Sequence, residues 1–442
     1  MASDLLSIGA SGARAARAAL DVTAQNIANA SSDGYVRRSV RLEEVSAAGG
    51  PGRLGDISLS GARVAGIVRN ADMFRQAEVR RTGSDLERAA AELRGLENIE
   101  AAVEQSGLFT SIVEFEASLL QLAADPTDPS LRAATLSSAE TLARKFNIAV
   151  DTLNAAGDGL RFDAGAAVTE ANVIGSELAR VNLRLARAGV GSSDRASLLD
   201  QRDSLLERMS GIVDISTSFA ADGTVTVGTG GANLVSGGNA TTMGLVTNPD
   251  GTIALAVSTT TIVSPSGGRI AGAALALAAG ADVRARLDTL ADTISGTVNA
   301  AQAAGAALDG SAGQPLFAGS GAAGIRIATT DSGAIATAPA GSPPGSLDGS
   351  NLAALRSAMT DARVVTSANG LLFDVSSAVS GRRLTLEALD SIASSARIAL
   401  EQQAGVDLDT EAANLMRFQQ AFQASGRAMQ VASRIFDTLM EL

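Results

Sequence analysis

The 442 residues carry 47 acidic against 35 basic side chains, a net charge of −12, and 46% hydrophobic residues of which few are aromatic. With no cysteine and no histidine, disulfides, zinc sites, Ser-His-Asp triads and Cys-His pairs are excluded within this chain. An acidic chain whose single lysine is Lys145 has no basic cluster for a phosphate backbone, which argues against broad phosphate-backbone binding, so no nucleic-acid partner is expected.

The length exceeds one typical core, so several domains are expected. Residues 3–30 have helical spacing: Leu5, Ile8, Gly12, Ala15, Ala19 and Val22 form an a/d seam of mostly small side chains. Leu6, Leu20 and Ile27 widen the apolar face. Gly9 and Gly12 each weaken an isolated helix by roughly 1 kcal/mol relative to Ala, so this helix needs a packing partner. Residues 41–71 alternate loosely around "AAGGPGRLGD" and "GARVAGIVRN", which predicts extended strands or a hairpin.

From Asp72 the pattern is helical, with Met73, Phe74, Ala77, Leu86, Leu93, Leu96, Ile99 and Val103 on an amphipathic stripe. The Asp-Pro pairs at Asp125 and Asp128 mark a break between two further helices. A third helical pattern covers 162–188, and a fourth starts at the Ser/Asp cap of "SSDRASLLDQRDSLLERMSGI". Between Gly211 and Gly280 only Asp214, Asp222, Asp250 and Arg269 are charged, and period-two alternation with Asp-Gly turns predicts a β insert. Helix returns over 273–304 with Val283, Leu287, Leu290, Ile294 and Val298. The Gly/Ser/Pro-rich stretch 305–350 reads as loop with a short strand at "GIRIATT". Helix resumes near Leu352, with an interruption expected at Asn369-Gly370.

The last helix carries the strongest periodicity. Leu408, Leu415, Phe422, Met429 and Phe436 recur every seventh position, with Ala412, Phe418, Ser425, Ala432 and Leu439 between them. Such heptads predict a coiled-coil helix about 50 Å long. The large side chains here complement the Ala and Gly seam of the first helix, so the two are expected to pair.

The fold class expected is mainly α with β inserts: paired N- and C-terminal coiled-coil helices, a long-helix body and a small inserted β domain. The expected divisions are a terminal core of 1–40 plus 405–442, a connector of 41–71, a helical body of 72–212, 273–304 and 351–404, a β domain of 213–272, and a loop region of 305–350. The start, "MASDLLSIGA", has no basic segment followed by an apolar core, so no cleaved signal peptide is expected. The longest apolar run, "IAGAALALAAG", is too short to span a bilayer, so no membrane insertion is expected.

"ALDVTAQNIANASSDGY" resembles the N-terminal signature of the flagellar rod, hook and hook-associated axial proteins. Asn26, Ile27, Ala28, Asn29, Gly34 and Tyr35 match that signature, while Gln25 and Ser32-Asp33 depart from it. The ending "DLDTEAANLMRFQQAFQAS" is similar to the same family, and "LAADPTDPSLRAATLSSAETLARKFN" and "LLDQRDSLLERMSGIVDI" point to its hook-associated members. The resemblance implies an extracellular structural subunit at the hook–filament junction, exported unfolded through the flagellar type III channel. It implies a homo-oligomeric ring whose other partners are the hook protein, a second hook-associated protein and an export chaperone. No catalytic residue, cofactor or metal is expected. Alternatives are a hook or distal rod protein, a flagellum-exported enzyme, or a surface adhesin.

Several residues admit a sharper and a plainer reading. Asp407, Asp409 and Glu411 could be catalytic carboxylates, but their place at the start of the last helix favours capping and dipole complementation. Asp125 and Asp128 likewise read as caps, and "GTGGANLVSGG" lacks the Lys-Ser/Thr of a phosphate loop. Tyr35 is the only tyrosine and reads as a turn residue or a junction contact. Arg37 and Arg38 read as a solvated pair or as contacts to a neighbour's acids.

Overall fold

The computed structural model describes residues 2–32, 34–44, 61–258 and 261–440, with the side chains of residues 2–4, 439 and 440 outside that set. Helix α1 (Ala2–Ala28) leads into the strands β1 (Arg38–Glu44) and β2 (Ala62–Arg69). Four helices follow: α2 (Met73–Gln105), α3 (Leu108–Ala124), α4 (Pro129–Leu185) and α5 (Ser193–Ile212). The strands β3 (Ser216–Phe219), β4 (Val225–Thr229), β5 (Ala232–Ser236), β6 (Asn239–Ala240), β7 (Met243–Thr247), β8 (Ile253–Val257) and β9 (Thr261–Val263) come next. After α6 (Gly268–Ala303) come β10 (Gly305–Ala306), β11 (Phe317–Ala318), a single turn α7 (Gly321–Gly324), β12 (Arg326–Ile327) and β13 (Ala338–Pro339). Helices α8 (Ser350–Asp361), α9 (Val364–Ala404) and α10 (Leu408–Met440) complete the order. This is the expected mainly helical chain with long terminal helices and β inserts.

Two compact units divide these elements. The first comprises Met1–Asp85, Glu170–Thr242 and Leu389–Leu442, and the second Leu86–Thr169 and Met243–Ala388. Helices α2, α4 and α9 contribute residues to both. The β-rich stretch is likewise shared, with β3 to β6 in one antiparallel sheet and β7 to β9 in another.

In the first unit, β1 and β2 pair antiparallel with Arg38 opposite Arg69, and a register shift falls between Arg41 and Leu42. Residues 45–60 of the expected connector lie outside the described residues. The hairpin meets the loop before α5 where Ile67 donates its amide to the Gly191 carbonyl at 2.8 Å. Both Gly66 and Gly191 are required there, because a Cβ on either would come within 2.9 Å of the other's Cα. Ser192 caps α5 by accepting the Arg195 amide. The sheet β3–β6 is tied to α4 by Asn182, whose side chain donates to the Val225 and Gly237 carbonyls and accepts the Val225 amide.

In the second unit one large core joins α3, α4, α6, α8 and α9. Phe115 of α3 and Phe146 of α4 are fully buried, and Phe115 meets Phe317 edge to face at 5.9 Å. One stretch, within Met73–Ala124, is long and apolar enough by composition to cross a membrane. In it, α3 sets Leu108, Ile112, Phe115, Leu119 and Leu122 into this core. The sequence reading took "IAGAALALAAG" at 270–280 as the longest apolar run and did not single out this stretch. Arg132 is 1% exposed and, among the described residues, no carboxylate lies within ion-pair distance of it. Its guanidinium donates to the carbonyls of Pro126 at 2.6 Å and Ile335 at 2.9 Å and to Thr337 Oγ1 at 2.9 Å. The sheet β7–β9 places Ile253 against Leu160 and Ala164 of α4 and Ala276 and Leu277 of α6.

Two boundaries differ from the sequence reading. The helices expected on either side of residue 160 are one helix, because α4 runs unbroken for 57 residues. Gly157, Gly159 and Gly165 lower its propensity but interrupt no hydrogen bond, and no proline intervenes. The break expected at Asn369-Gly370 falls instead between α8 and α9, where Arg363 takes a left-handed φ of 55°. Gly370 sits inside α9.

Candidate assembly core

Helices α1 and α10 pack against each other within the first unit. The small side chains of α1 set the approach distance. A Cβ on Gly9 would lie 2.7 Å from Met429 Cγ, and one on Gly12 would lie 2.9 Å from Ser425 Oγ. Ala15, Ala19 and Val22 are buried, Ile8, Gly12 and Ile27 are half-buried, and Leu5 is exposed.

On α10 the seven-residue series divides. Leu415, Phe418 and Met429 are half-buried and Ala432 is buried, whereas Leu408, Phe422 and Phe436 are 54%, 43% and 51% exposed. The side chain of Leu439 lies outside the described residues. One helix of small residues covers only part of a stripe this wide. Met416, Val431 and Ile435 add further exposed apolar area to α10.

The signature residues build the exit from α1. Asn26 is 1% exposed and engages both ends of its side-chain amide. Its Nδ2 donates to the Arg38 carbonyl at 2.8 Å, while Oδ1 accepts the Arg38 amide at 3.0 Å and the Tyr35 hydroxyl at 2.9 Å. The side chain thus mimics a strand partner for the first residue of β1. Asn29 donates back to the Gln25 carbonyl and closes the last turn. Ala28 is exposed, and Gly34 takes φ of 74°, which a residue with a Cβ rarely adopts. Asp33 lies outside the described residues. Burial pushes the Tyr35 hydroxyl above its usual range, Asp200 and Glu411 add to the rise, and Arg38 opposes it.

Arg37 and Arg38 are both engaged by acids of their own chain, Arg38 buried and Arg37 partly exposed. Arg37 pairs with Glu411 of α10 at 2.6 Å and donates its backbone amide to the Ala404 carbonyl. Arg38 stacks over the Tyr35 ring at 4.9 Å and donates to Asp200 at 2.6 Å. Its register partner Arg69 grips the other Asp200 oxygen at 2.8 Å and reaches Asp203 at 2.9 Å. Asp203 also accepts from Arg202 and from Gln76.

The acids at the start of α10 have separate roles. Asp407 caps the helix, accepting the amides of Asp409 and Thr410, and these bonds hold its carboxyl below the usual range. Asp409 is exposed, whereas Glu411 is a buried ion-pair member, a role the capping reading missed. The cluster of Arg38, Arg69, Asp200, Arg202 and Asp203 was also missed. Its trace in the sequence is the pair of acids three apart in "LLDQRDSLL", on a helix face that also carries leucines. In "DPTDPS", Asp128 accepts the amides of Ser130 and Leu131, as a cap should.

The family model described as the flagellar hook-associated protein FlgK helical domain matches residues 93–317. A flagella basal body rod protein model matches residues 6–35, and the flagellar basal body rod FlgEFG protein C-terminal model matches residues 400–442. Flagellar hook-associated protein 1 of Escherichia coli K12 is 28% identical over 245 residues, covering 54% of the chain and 44% of that protein. The protein of the same name from Salmonella typhimurium is 30% identical over 228 residues, covering 50% of the chain and 40% of that protein. The chain spans less than half the length of the curated relatives it matches. In fold, it is similar to the solved flagellar hook junction protein FlgK from Burkholderia pseudomallei. The TM-score is 0.65 at 16% identity, over 74% of this chain and 100% of that one. A helical-domain model spanning half of the residues, flanked by axial-protein models at α1 and α10, places the chain in the FlgK family of flagellar hook-associated proteins.

Proposed function

We propose that the chain is a non-enzymatic structural subunit that joins the flagellar hook to the filament by assembling into a ring through α1 and α10. The observation that carries this reading is the unfinished burial of α10. Leu408, Phe422 and Phe436 stay about half exposed although they continue the stripe that packs on α1. Each side chain of this size gains about 1.5–3 kcal/mol when fully buried, so neighbouring subunits that cover the stripe provide a driving force. Residues 1–40 and 405–442 act as the polymerising core in this reading, and the helical body carries the lateral contacts.

The partners are other copies of the chain, the hook protein, a second hook-associated protein and an export chaperone. The site of action is the extracellular hook–filament junction, reached through the flagellar export channel. A chain with no cysteine suits passage in the unfolded state. The test is deletion of the gene followed by electron microscopy. Hooks without filaments and flagellin monomers in the medium are expected, and filaments of normal number and length would refute the proposal.

A further inference from the structure

A cavity of about 120 Å³ lies behind the signature turn, lined among others by Gly34, Tyr35, Val79, Arg80, Ser204 and Leu400. Arg80 is 7% exposed. Among the described residues no carboxylate, carbonyl or hydroxyl meets its guanidinium at hydrogen-bond or ion-pair distance. The acids around it are already committed. Asp203 accepts from Arg69, Arg202 and Gln76, and Glu207 holds Arg397 at 2.6 Å. Asp200 is held by Arg38 and Arg69, and Glu401 at the cavity edge is exposed. Among the described residues, four buried arginines, Arg38, Arg69, Arg80 and Arg202, therefore stand beside two largely buried carboxylates, Asp200 and Asp203. Burial pulls the Arg80 pKa down. Asp203 and Glu207 oppose that pull at a distance, and Arg202 adds to it.

A buried charge without a partner is destabilising, so among the described residues Arg80 is short of an anion and its guanidinium faces the cavity. The guanidinium fork favours a planar group that accepts two parallel hydrogen bonds. The cavity has room for a few waters or one carboxylate and its adjoining carbon. Its remaining walls include Val36, Val79, Leu400 and Ala404, which suit a short aliphatic stem better than a hydrated inorganic ion.

We propose that this cavity binds a single carboxylate group through Arg80, supplied by a small free carboxylate or by an acidic side chain of a second copy of the chain. A second copy is a ready source, because the chain carries twelve more acidic than basic groups.

Tyr35 lines the cavity and is the only tyrosine in a chain without tryptophan, so its emission reports directly on the site. The experiment titrates the full chain with sodium acetate against sodium chloride at equal ionic strength, following Tyr35 emission and sedimentation. A saturable response to acetate alone, lost in Arg80→Met, supports a free carboxylate. Concentration-dependent self-association that acetate competes away and Arg80→Met abolishes supports the second copy. In either case Arg80→Met should melt no lower than the unliganded parent, because it removes an uncompensated charge. Should Arg80→Met fail to fold, Arg80→Lys keeps the charge without the fork and should weaken the acetate response about tenfold. Equal responses to acetate and chloride, or no response together with no Arg80-dependent association, would overturn the proposal. A response that appears only in Asp33→Asn would show that the carboxylate is the chain's own, and would overturn it too.

Discussion

Arg37 and Glu411 lie 374 positions apart in sequence and form an ion pair of 2.6 Å. The Glu411 side chain is 2% exposed and that of Arg37 is 29% exposed. The pair is therefore asymmetric. Removing Arg37 strands a buried carboxylate, whereas neutralising Glu411 leaves a guanidinium that water can reach. Arg37→Met should destabilise the first unit by about 2–4 kcal/mol and Glu411→Gln by about 1 kcal/mol. Denaturant unfolding followed by Tyr35 emission measures both, and equal losses would contradict the argument.

Asn26 satisfies three groups at once, the Arg38 amide, the Arg38 carbonyl and the Tyr35 hydroxyl. Asn26→Ala should lower stability by about 2–4 kcal/mol, since the Arg38 backbone groups lose their partner. Tyr35→Phe removes one donor and leaves Asn26 bonded to Arg38, so about 1 kcal/mol is expected. A larger loss for Tyr35→Phe than for Asn26→Ala would show that the ring, and not the amide, organises the turn.

Tyr35 also sets an alkaline limit. Its pKa is raised in the folded chain above the ordinary value of 10.0, first by burial. The unfolded chain then loses this proton first. The contribution to stability is full below about pH 10 and is lost as pH climbs through the folded value. Stability measured from neutral to strongly alkaline pH should fall in that window, and Tyr35→Phe should flatten the fall. Tyrosinate absorbance follows the titration directly, because no other tyrosine contributes.

Arg132 holds the segment 332–337 by donating to the Ile335 carbonyl and to Thr337 Oγ1, with longer contacts of 3.3 Å to Ser332 and Gly333. Lysine has no planar fork and cannot span these acceptors. Arg132→Lys and Arg132→Met should therefore both cost about 3 kcal/mol or more in the second unit. Amide exchange should show residues 332–337 losing protection before the rest of the unit. Full rescue by lysine would show that charge alone matters there.

Folding of the terminal pair and its assembly should separate by mutation. Gly12→Leu forces a branched side chain against Ser425, where even a Cβ would come within 2.9 Å, and should part α1 from α10. Phe422→Asp alters a side chain that is 43% exposed and should leave the isolated chain's stability within about 0.5 kcal/mol. Motility and filament counts should nevertheless collapse in Phe422→Asp. Normal filaments on that background would remove the exposed stripe from the mechanism.

Repeated spacing made much of this fold legible. The a/d seams of α1 and α10, the Asp128 cap and the β-rich stretch all follow from local periodicity or turn chemistry. Long-range polar pairing left no such trace. Glu411 sits in the first turn of a helix, where an acid is expected for the dipole alone, so its buried partner 374 residues away was invisible. The same holds for Arg38, Arg69 and Asp200, which meet only once the hairpin register puts the two arginines opposite each other. The break at Arg363 was missed for the opposite reason. A left-handed arginine is rare, while Asn369-Gly370 nearby carried the stronger local stop signal and was overridden by packing.

The separation in sequence between α1 and α10 also imposes an order in time. The second unit needs no residue beyond Ala388, so it can close while the last helix is still undelivered. The first unit cannot, since its core requires α10 and the Arg37–Glu411 pair. Until then α1, weakened by Gly9 and Gly12, has the β1–β2 hairpin to pack against but not its long helical partner. Closing a loop of this length is entropically slow. On the export route proposed above, a subunit delivered α1 first keeps its proposed joining surface unformed in transit and completes it on arrival, as the final step of its own folding.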